Sequence, residues 1–359
     1  MQTDKEKNTM LTVEHMLAAA REKGASDVLL TAGAPPMVRV NGSLEKLDYP
    51  ELAHEELDRI VFSVMDERQL KIYREKGEAD FALSVPGDER YRVNVFRQRG
   101  CAACSIRIIH EKLPTAEQLG IPEAVMDLSY KKRGLVIMAG ASGSGKTTTL
   151  AAVTDKINKE RNVHIITIED PIEYVHCHEK AVVDQREIGT DAMSCAEALR
   201  AALREDSDVI VVGEIKDLDT VSAAVTAAET GHLVLSTFGA AGAQSVIERI
   251  IAAYPPHSRQ NMRLRLSMVL EAVISQQLLP GEDKAGRVAA FEIMYAADPI
   301  RRLIKEGDTG CILSAMRECE KEGMITMDDA LIALCSKGVI SAKSAVEYAW
   351  DSCYVKEHL

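Results

Sequence analysis

The stretch from residue 134 to residue 153, GLVIMAGASGSGKTTTLAAV, leaves the chain few choices of fold. A short apolar run leads into a glycine-rich turn, and the turn runs straight into a helical pattern. Gly140-Ala141-Ser142-Gly143-Ser144-Gly145-Lys146-Thr147 fits the spacing G-x-x-x-x-G-K-[ST]. Glycines at these positions let backbone N–H groups turn inward, and the helix that follows presents the positive end of its dipole. A lysine at the helix start reaches β- and γ-phosphates, and the hydroxyl of Thr147 is placed for Mg²⁺. The bland alternative is a glycine-rich turn with an incidental lysine. An apolar strand before the turn and a helix after it favour a nucleoside triphosphate, with ATP as the expected ligand.

The surrounding pattern has the same rhythm. VHIITIED and DVIVVGE are apolar runs with few polar interruptions, as strands buried on both faces should be. Helical spacing over residues 146–160, 194–205 and 217–229 separates them, which predicts a parallel sheet with helices on both faces. The preceding 110 residues differ. Helical spacing at 11–23 and 51–77 alternates with period-two segments and Gly, Pro and Asn-Gly turn signals, which predicts a mixed α+β domain over 1–110. ADFALSVPGDERYRVNVFRQRGCAACSIRIIH, residues 79–110, has period-two alternation and reads as two or three antiparallel strands. A polar connector with two prolines spans 111–133, the α/β domain spans 134–298, and 299–359 is almost entirely helical.

Acidic residues fall at strand ends. TIEDPIEYV places Glu169, Asp170 and Glu173 past one apolar run, and DVIVVGEIKD places Glu214 past another. Ligands of open α/β sheets bind at the carboxyl ends of the strands. Glu214 and Glu169 are therefore candidates to orient an attacking water and, with Thr147, to help hold magnesium. Either residue alone reads equally as a helix cap or an exposed acid. His232, just before the run LVLST, reads by itself as a hydrogen-bonded core histidine.

The totals exclude several classes. A net charge of −12 disfavours duplex binding, which needs Lys and Arg to neutralise phosphates. No run reaches the roughly 18 apolar residues of a membrane span, and the N-terminus has no signal-type apolar core, so a cytoplasmic protein is expected. Eight cysteines include one C-x-x-C, Cys101–Cys104, without a second pair or fitting histidines to complete a zinc site. They read as reduced thiols.

The ordered motifs resemble those of the secretion-type ATPases, and within them the type IV pilus retraction (twitching motility) branch. GASGSGKTTTL is similar to that family's Walker A motif and adds Thr148 to the phosphate-binding set. TIEDPIEYVH resembles its Asp box, and LREDSDVIVVGEIKDLDTVSAAVTAAETGHLVLST its Walker B region running into the His box, which makes His232 a catalytic candidate. RYRVNVFRQRG, AVISQQLLP and GMITMDDALIALCSKGVIS extend the likeness over about residues 11–350. The resemblance implies a PAS-like N-terminal domain joined to a RecA-like P-loop domain with a C-terminal helical region, assembled as a homohexamer. It implies that Arg90, Arg92 and Arg107 reach the nucleotide. It also implies a partner in the inner-membrane platform protein of the pilus machine, a peripheral location at the inner face of the cytoplasmic membrane, and no nucleic acid. DPIRRLIKEG is similar to a helical motif needed for retraction but not for hydrolysis.

Two positions bear on the chemistry. Gly213 stands where a general P-loop enzyme carries an aspartate, as is usual in this family. Gly239 stands where the family's second His-box histidine is expected, in Thr237-Phe-Gly-Ala-Ala-Gly. That departure supports an alternative, an accessory ATP-binding paralogue with weak hydrolysis. A pilus assembly or type II secretion ATPase is the other alternative, disfavoured because a tetracysteine insert and a long N-terminal extension are lacking.

Overall fold

Among the described residues the hydrophobic clusters fall into two groups, one in the first part of the chain and three in the second. The computed structural model describes residues 11–40, 42–85, 90–109, 113–282, 286–319 and 323–359. The N-terminal ten residues, Asn41 of the Asn-Gly turn signal and the start of the connector lie outside them. Internal contacts divide the chain into Met1–Lys112 and Leu113–Leu359.

The first unit holds strands β1 (Asp27–Leu30), β2 (Met37–Val40), β3 (Ser43–Lys46), β4 (Glu78–Ser84), β5 (Arg90–Gln98) and β6 (Cys101–Ile109). They form an antiparallel sheet in the order β3-β2-β1-β6-β5-β4. Alternation along β5 buries Tyr91, Val93 and Val95 and turns Arg92 and Phe96 outward. The inward side chains join Met16, Leu17, Leu57 and Val61 of the helices Val13–Glu22 and His54–Phe62 in one core. Residues 51–77 form two helices rather than one stretch. The second, Glu67–Lys76, starts afresh at Asp66, whose carboxylate accepts from the Gln69 N–H at 2.7 Å while the Gln69 side chain accepts from the Asp66 N–H at 2.9 Å. That reciprocal cap makes a new helix start at this point favourable. Cys101 and Cys104 are buried on β6.

The second unit holds β7 (Gly134–Ala139), β8 (His164–Glu169), β9 (Val182–Glu187), β10 (Val209–Val212), β11 (Leu233–Phe238), β12 (Leu270–Pro280) and β13 (Arg287–Tyr295). The order is β13-β12-β7-β11-β10-β8-β9, parallel throughout except for the β12–β13 hairpin. Every residue of β7, β10 and β11 is buried, as strands covered on both faces require. The helices Lys146–Glu160, Cys195–Ala202 and Leu218–Glu229 form where the periodicity predicts them; Ser194 and Asp217 cap the last two through their side chains. Ile121, Val125, Met126 and Leu128, read from the sequence as connector, are buried in the core beneath β7 and β8. From Asp298 onward the described residues form five α-helices. The first, Asp298–Glu306, buries Ile300 and Ile304 in the core of the parallel sheet. The last three gather Met327, Leu331, Ile340, Ala345 and Val355 on the hairpin residues Leu279 and Ala290.

Candidate functional site

The parallel strands all point the same way, so the turns after β7, β8, β10 and β11 gather at one edge of the sheet. The phosphate loop follows β7, and three of its glycines have positive φ: Gly140 (+145°), Gly143 (+76°) and Gly145 (+89°). Space is as restrictive as backbone angle. A β-carbon at Gly140 would lie 2.5 Å from the Gln276 carbonyl oxygen and 2.5 Å from Ser144 Oγ, and one at Gly145 would lie 2.7 Å from Gln276 Nε2. Gln276 is buried on β12, and its Oε1 accepts from the Thr149 hydroxyl at 2.7 Å. One amide on the neighbouring strand thus props both the loop and the helix that follows.

Lys146 opens that helix and is buried, with its ammonium donating to the Ala141 carbonyl at 2.8 Å. Burial pulls its pKa down, and the carboxylates of Glu214 and Glu173 partly offset this, so all three charges share one electrostatic neighbourhood. Ala141, Ser142 and Gly143 are exposed at the loop tip, whereas Ser144 Oγ is buried without a hydrogen-bond partner among the described residues. Thr147 and Thr148 are half-buried on the first turn, and the Thr148 hydroxyl meets Tyr174 OH at 3.1 Å. A loop closed to β-carbons at Gly140 and Gly145, a buried cation resting on a carbonyl and an inward hydroxyl without a partner among the described residues, all at a helix start, fit the triphosphate of a nucleotide. The donor set for Mg²⁺, a first-turn threonine with nearby carboxylates, suits a hard cation.

Glu169 ends β8. Its Oε1 accepts from the Thr167 hydroxyl at 2.7 Å and from Gln185 Nε2 at 3.0 Å. Desolvation pushes its pKa up against these two bonds. Gln185, on β9, also donates to the Tyr174 carbonyl at 2.9 Å and accepts from the His176 N–H at 2.8 Å, so it pins the whole 169–176 turn. Glu214 follows β10, the strand beside β8, with a side chain 40% exposed and Lys216 at 3.9 Å. A β-carbon at Gly239 would lie 3.3 Å from Glu214 Oε1, so the residue without a side chain sits directly against this carboxylate.

His232 stands elsewhere. It precedes β11, whose first residue Leu233 pairs with Gly134 at the start of β7, so six strand residues, about 20 Å, separate it from the loop edge. Its Nδ1 lies 3.1 Å from the Ala227 carbonyl and 3.3 Å from Thr230 Oγ1. Within one chain, His232 is a turn-closing histidine away from the phosphate loop. The arginines belong to the first unit. Arg92 and Arg107 face each other across β5 and β6, Arg90 shares their face of the sheet, and Arg107 Nε lies 2.9 Å from Asp27. Gln276, Gln185 and Tyr174 escaped sequence reasoning, for no motif spacing marks them; three consecutive polar residues, Ser275-Gln276-Gln277, in an otherwise apolar run were the available signal for the first.

A sheet of this strand order, with a phosphate loop organising its carboxyl edge, places the second unit in the RecA-like class of P-loop nucleotide-binding proteins. The family follows from comparison. The profile of the family described as type II/IV secretion system protein matches residues 2–330, and the chain belongs to that family. It is 43% identical over 339 residues to the type IV pilus retraction ATPase PilT of Pseudomonas aeruginosa, covering 94% of this chain and 98% of that one. It is 42% identical over 317 residues to a twitching motility protein of Neisseria gonorrhoeae, covering 88% and 85%. A crystal structure of the pilus retraction motor PilT with bound ADP superposes with a TM-score of 0.91 over 97% of this chain and 99% of that chain, at 43% identity. No helix of the described residues is long and apolar enough to cross a membrane.

Proposed function

We propose that this chain is an ATP-hydrolysing motor that powers type IV pilus retraction, working as a ring of six copies against a membrane platform protein. The observation that carries the hydrolytic half is the placement of Glu214 and Glu169 after adjacent strands, at the same sheet edge as the phosphate loop. Lys146 exchanges its Ala141 carbonyl for phosphate oxygens, and Ser144 and the loop N–H groups hold the same anion. Thr147, with Glu169, holds Mg²⁺, which supplies charge neutralisation for phosphoryl transfer when bound. Glu214, exposed and free to reorient, positions the attacking water. Arg90, Arg92 and Arg107 form a cationic row suited to phosphate. The pilus half is supported by the relatives named retraction ATPase and twitching motility protein.

The test is steady-state Mg·ATP hydrolysis by the purified chain and by Glu214→Gln over a range of protein concentrations. We expect turnover in the native protein with specific activity that rises with concentration. Glu214→Gln should lose about 100-fold or more in kcat, as expected when a group acting on the attacking water is removed. Retained ATP binding with no hydrolysis in either protein would sink the motor reading.

A further inference from the structure

The turn Gly239–Gly242, which borders Glu214, is held from behind by a closed circuit of contacts that ends in the C-terminal helices. Gly242 donates its N–H to Ser275 Oγ on β12 at 3.0 Å, and Ala243 donates to Glu292 Oε1 on β13 at 2.7 Å. The second oxygen of Glu292 accepts from the Met327 N–H at 3.4 Å, at the start of the helix Met327–Ser336. Asp328, the next residue, accepts from the N–H groups of Trp350 (2.8 Å) and Asp351 (3.2 Å). Trp350 then returns to the turn. A β-carbon at Gly242 would lie 2.8 Å from the indole Cη2 and 2.9 Å from Cζ3, so the ring is seated on the glycine backbone.

We propose that Trp350 is a positioning residue for hydrolysis: seated on Gly242, it sets the 239–242 turn beside Glu214 and makes the C-terminal helices move with the state of the nucleotide site. The inference rests on the hydrolytic reading above. Three features carry it. The turn Gly-Ala-Ala-Gly has almost no side chains with which to fix itself, so its position is imposed by what it touches. The opposite end of the turn, at Gly239, borders Glu214 closely enough that an added β-carbon there would lie 3.3 Å from its Oε1, so the placement of the turn sets the space open to that carboxylate. Trp350 is 38% exposed, so one side of the ring is open to solvent and has room to slide on the glycine.

Trp350 is the only tryptophan of the chain, so its emission reports this contact alone. The experiment follows the emission of the full chain on addition of Mg·ADP, and of Glu214→Gln on addition of Mg·ATP, with nucleotide binding measured in parallel by equilibrium dialysis. Turnover is compared in Trp350→Ala and Trp350→Phe. We expect the emission maximum to differ between the two nucleotide states. Trp350→Ala should lower kcat about tenfold, as a slightly misplaced catalytic group does, with nucleotide affinity within about twofold of native. Trp350→Phe, which keeps an aromatic face on Gly242, should recover most of the loss. Nucleotide binding with unmoved emission, or full kcat in Trp350→Ala, overturns the positioning role and leaves the motor reading intact. Absence of nucleotide binding overturns both and is recognised by the dialysis alone.

Discussion

Gly145 shows how little room one residue can have. Its φ of +89° is costly for any side chain, and Gln276 Nε2 stands 2.7 Å from where a β-carbon would go. Gly145→Ala should therefore weaken nucleotide binding at least about tenfold and lower stability by about 1–3 kcal/mol, the usual range for forcing a side chain into a strained backbone position. Isothermal titration and thermal unfolding read the two effects. Gly239 behaves differently, because its φ lies outside the left-handed region and only the mobile end of Glu214 crowds the site. Gly239→His should fold with an unchanged melting temperature and raise kcat several-fold, by about 1 kcal/mol of hydrogen bonding at the γ-phosphate end. A fall in kcat would mean that the glycine is required where Glu214 must swing.

At the scale of elements, the hairpin β12–β13 works as a bracket. Its Gln276 props the phosphate loop, and its Glu292 joins two helix starts while fully buried. Desolvation, with Asp328 nearby, raises the Glu292 carboxyl from its ordinary 4.5 to about 7, against the two backbone N–H bonds. A carboxyl raised in the folded state binds its proton more tightly than the unfolded chain does. Stability is then fully present below pH 4.5 and declines as pH rises towards 7, by at most about 3 kcal/mol. Glu292→Gln should flatten that slope in thermal unfolding profiles; an equally steep profile in the variant would exclude Glu292 as its source.

This bracket was also the least legible part of the sequence. The strands β7, β8, β10 and β11 and the helices between them could be read from their own period, because each is buried on one or both faces by local pattern alone. The hairpin mixes Ser275, Gln276 and Gln277 with apolar residues, since these polar side chains serve the loop next door rather than the strand. The edge strand β9, VVDQRE, has too few apolar residues to stand out, yet its Gln185 holds Glu169. Glu169 and Glu214 were legible as strand-end acids. The position of His232 was legible too, since it precedes its strand while ligands gather at the carboxyl ends; only the family resemblance made it a catalytic candidate.

For the whole molecule, the candidate site residues of the second unit gather at one edge of the parallel sheet, while the eight cysteines are spread through both units and none is bridged in a disulfide. They divide by exposure. Cys104 is enclosed on β6, and burial pushes its thiol up to about 12, which leaves it almost no thiolate at neutral pH. Cys195 is likewise raised, to about 11. Cys177, Cys311 and Cys353 are exposed. A maleimide at neutral pH should thus modify these three first and spare Cys104 until the chain unfolds, which mass spectrometry of digested protein would check. Labelling of Cys104 in the folded chain would contradict its enclosure. The natural sequence thereby carries built-in attachment points for optical probes. One follows the turn pinned by Gln185, and another lies three residues from the sole indole. With the remaining thiols protected or replaced, a dye on Cys353 would sit close enough to Trp350 to be quenched by it, giving a light signal for the working cycle without any residue being added.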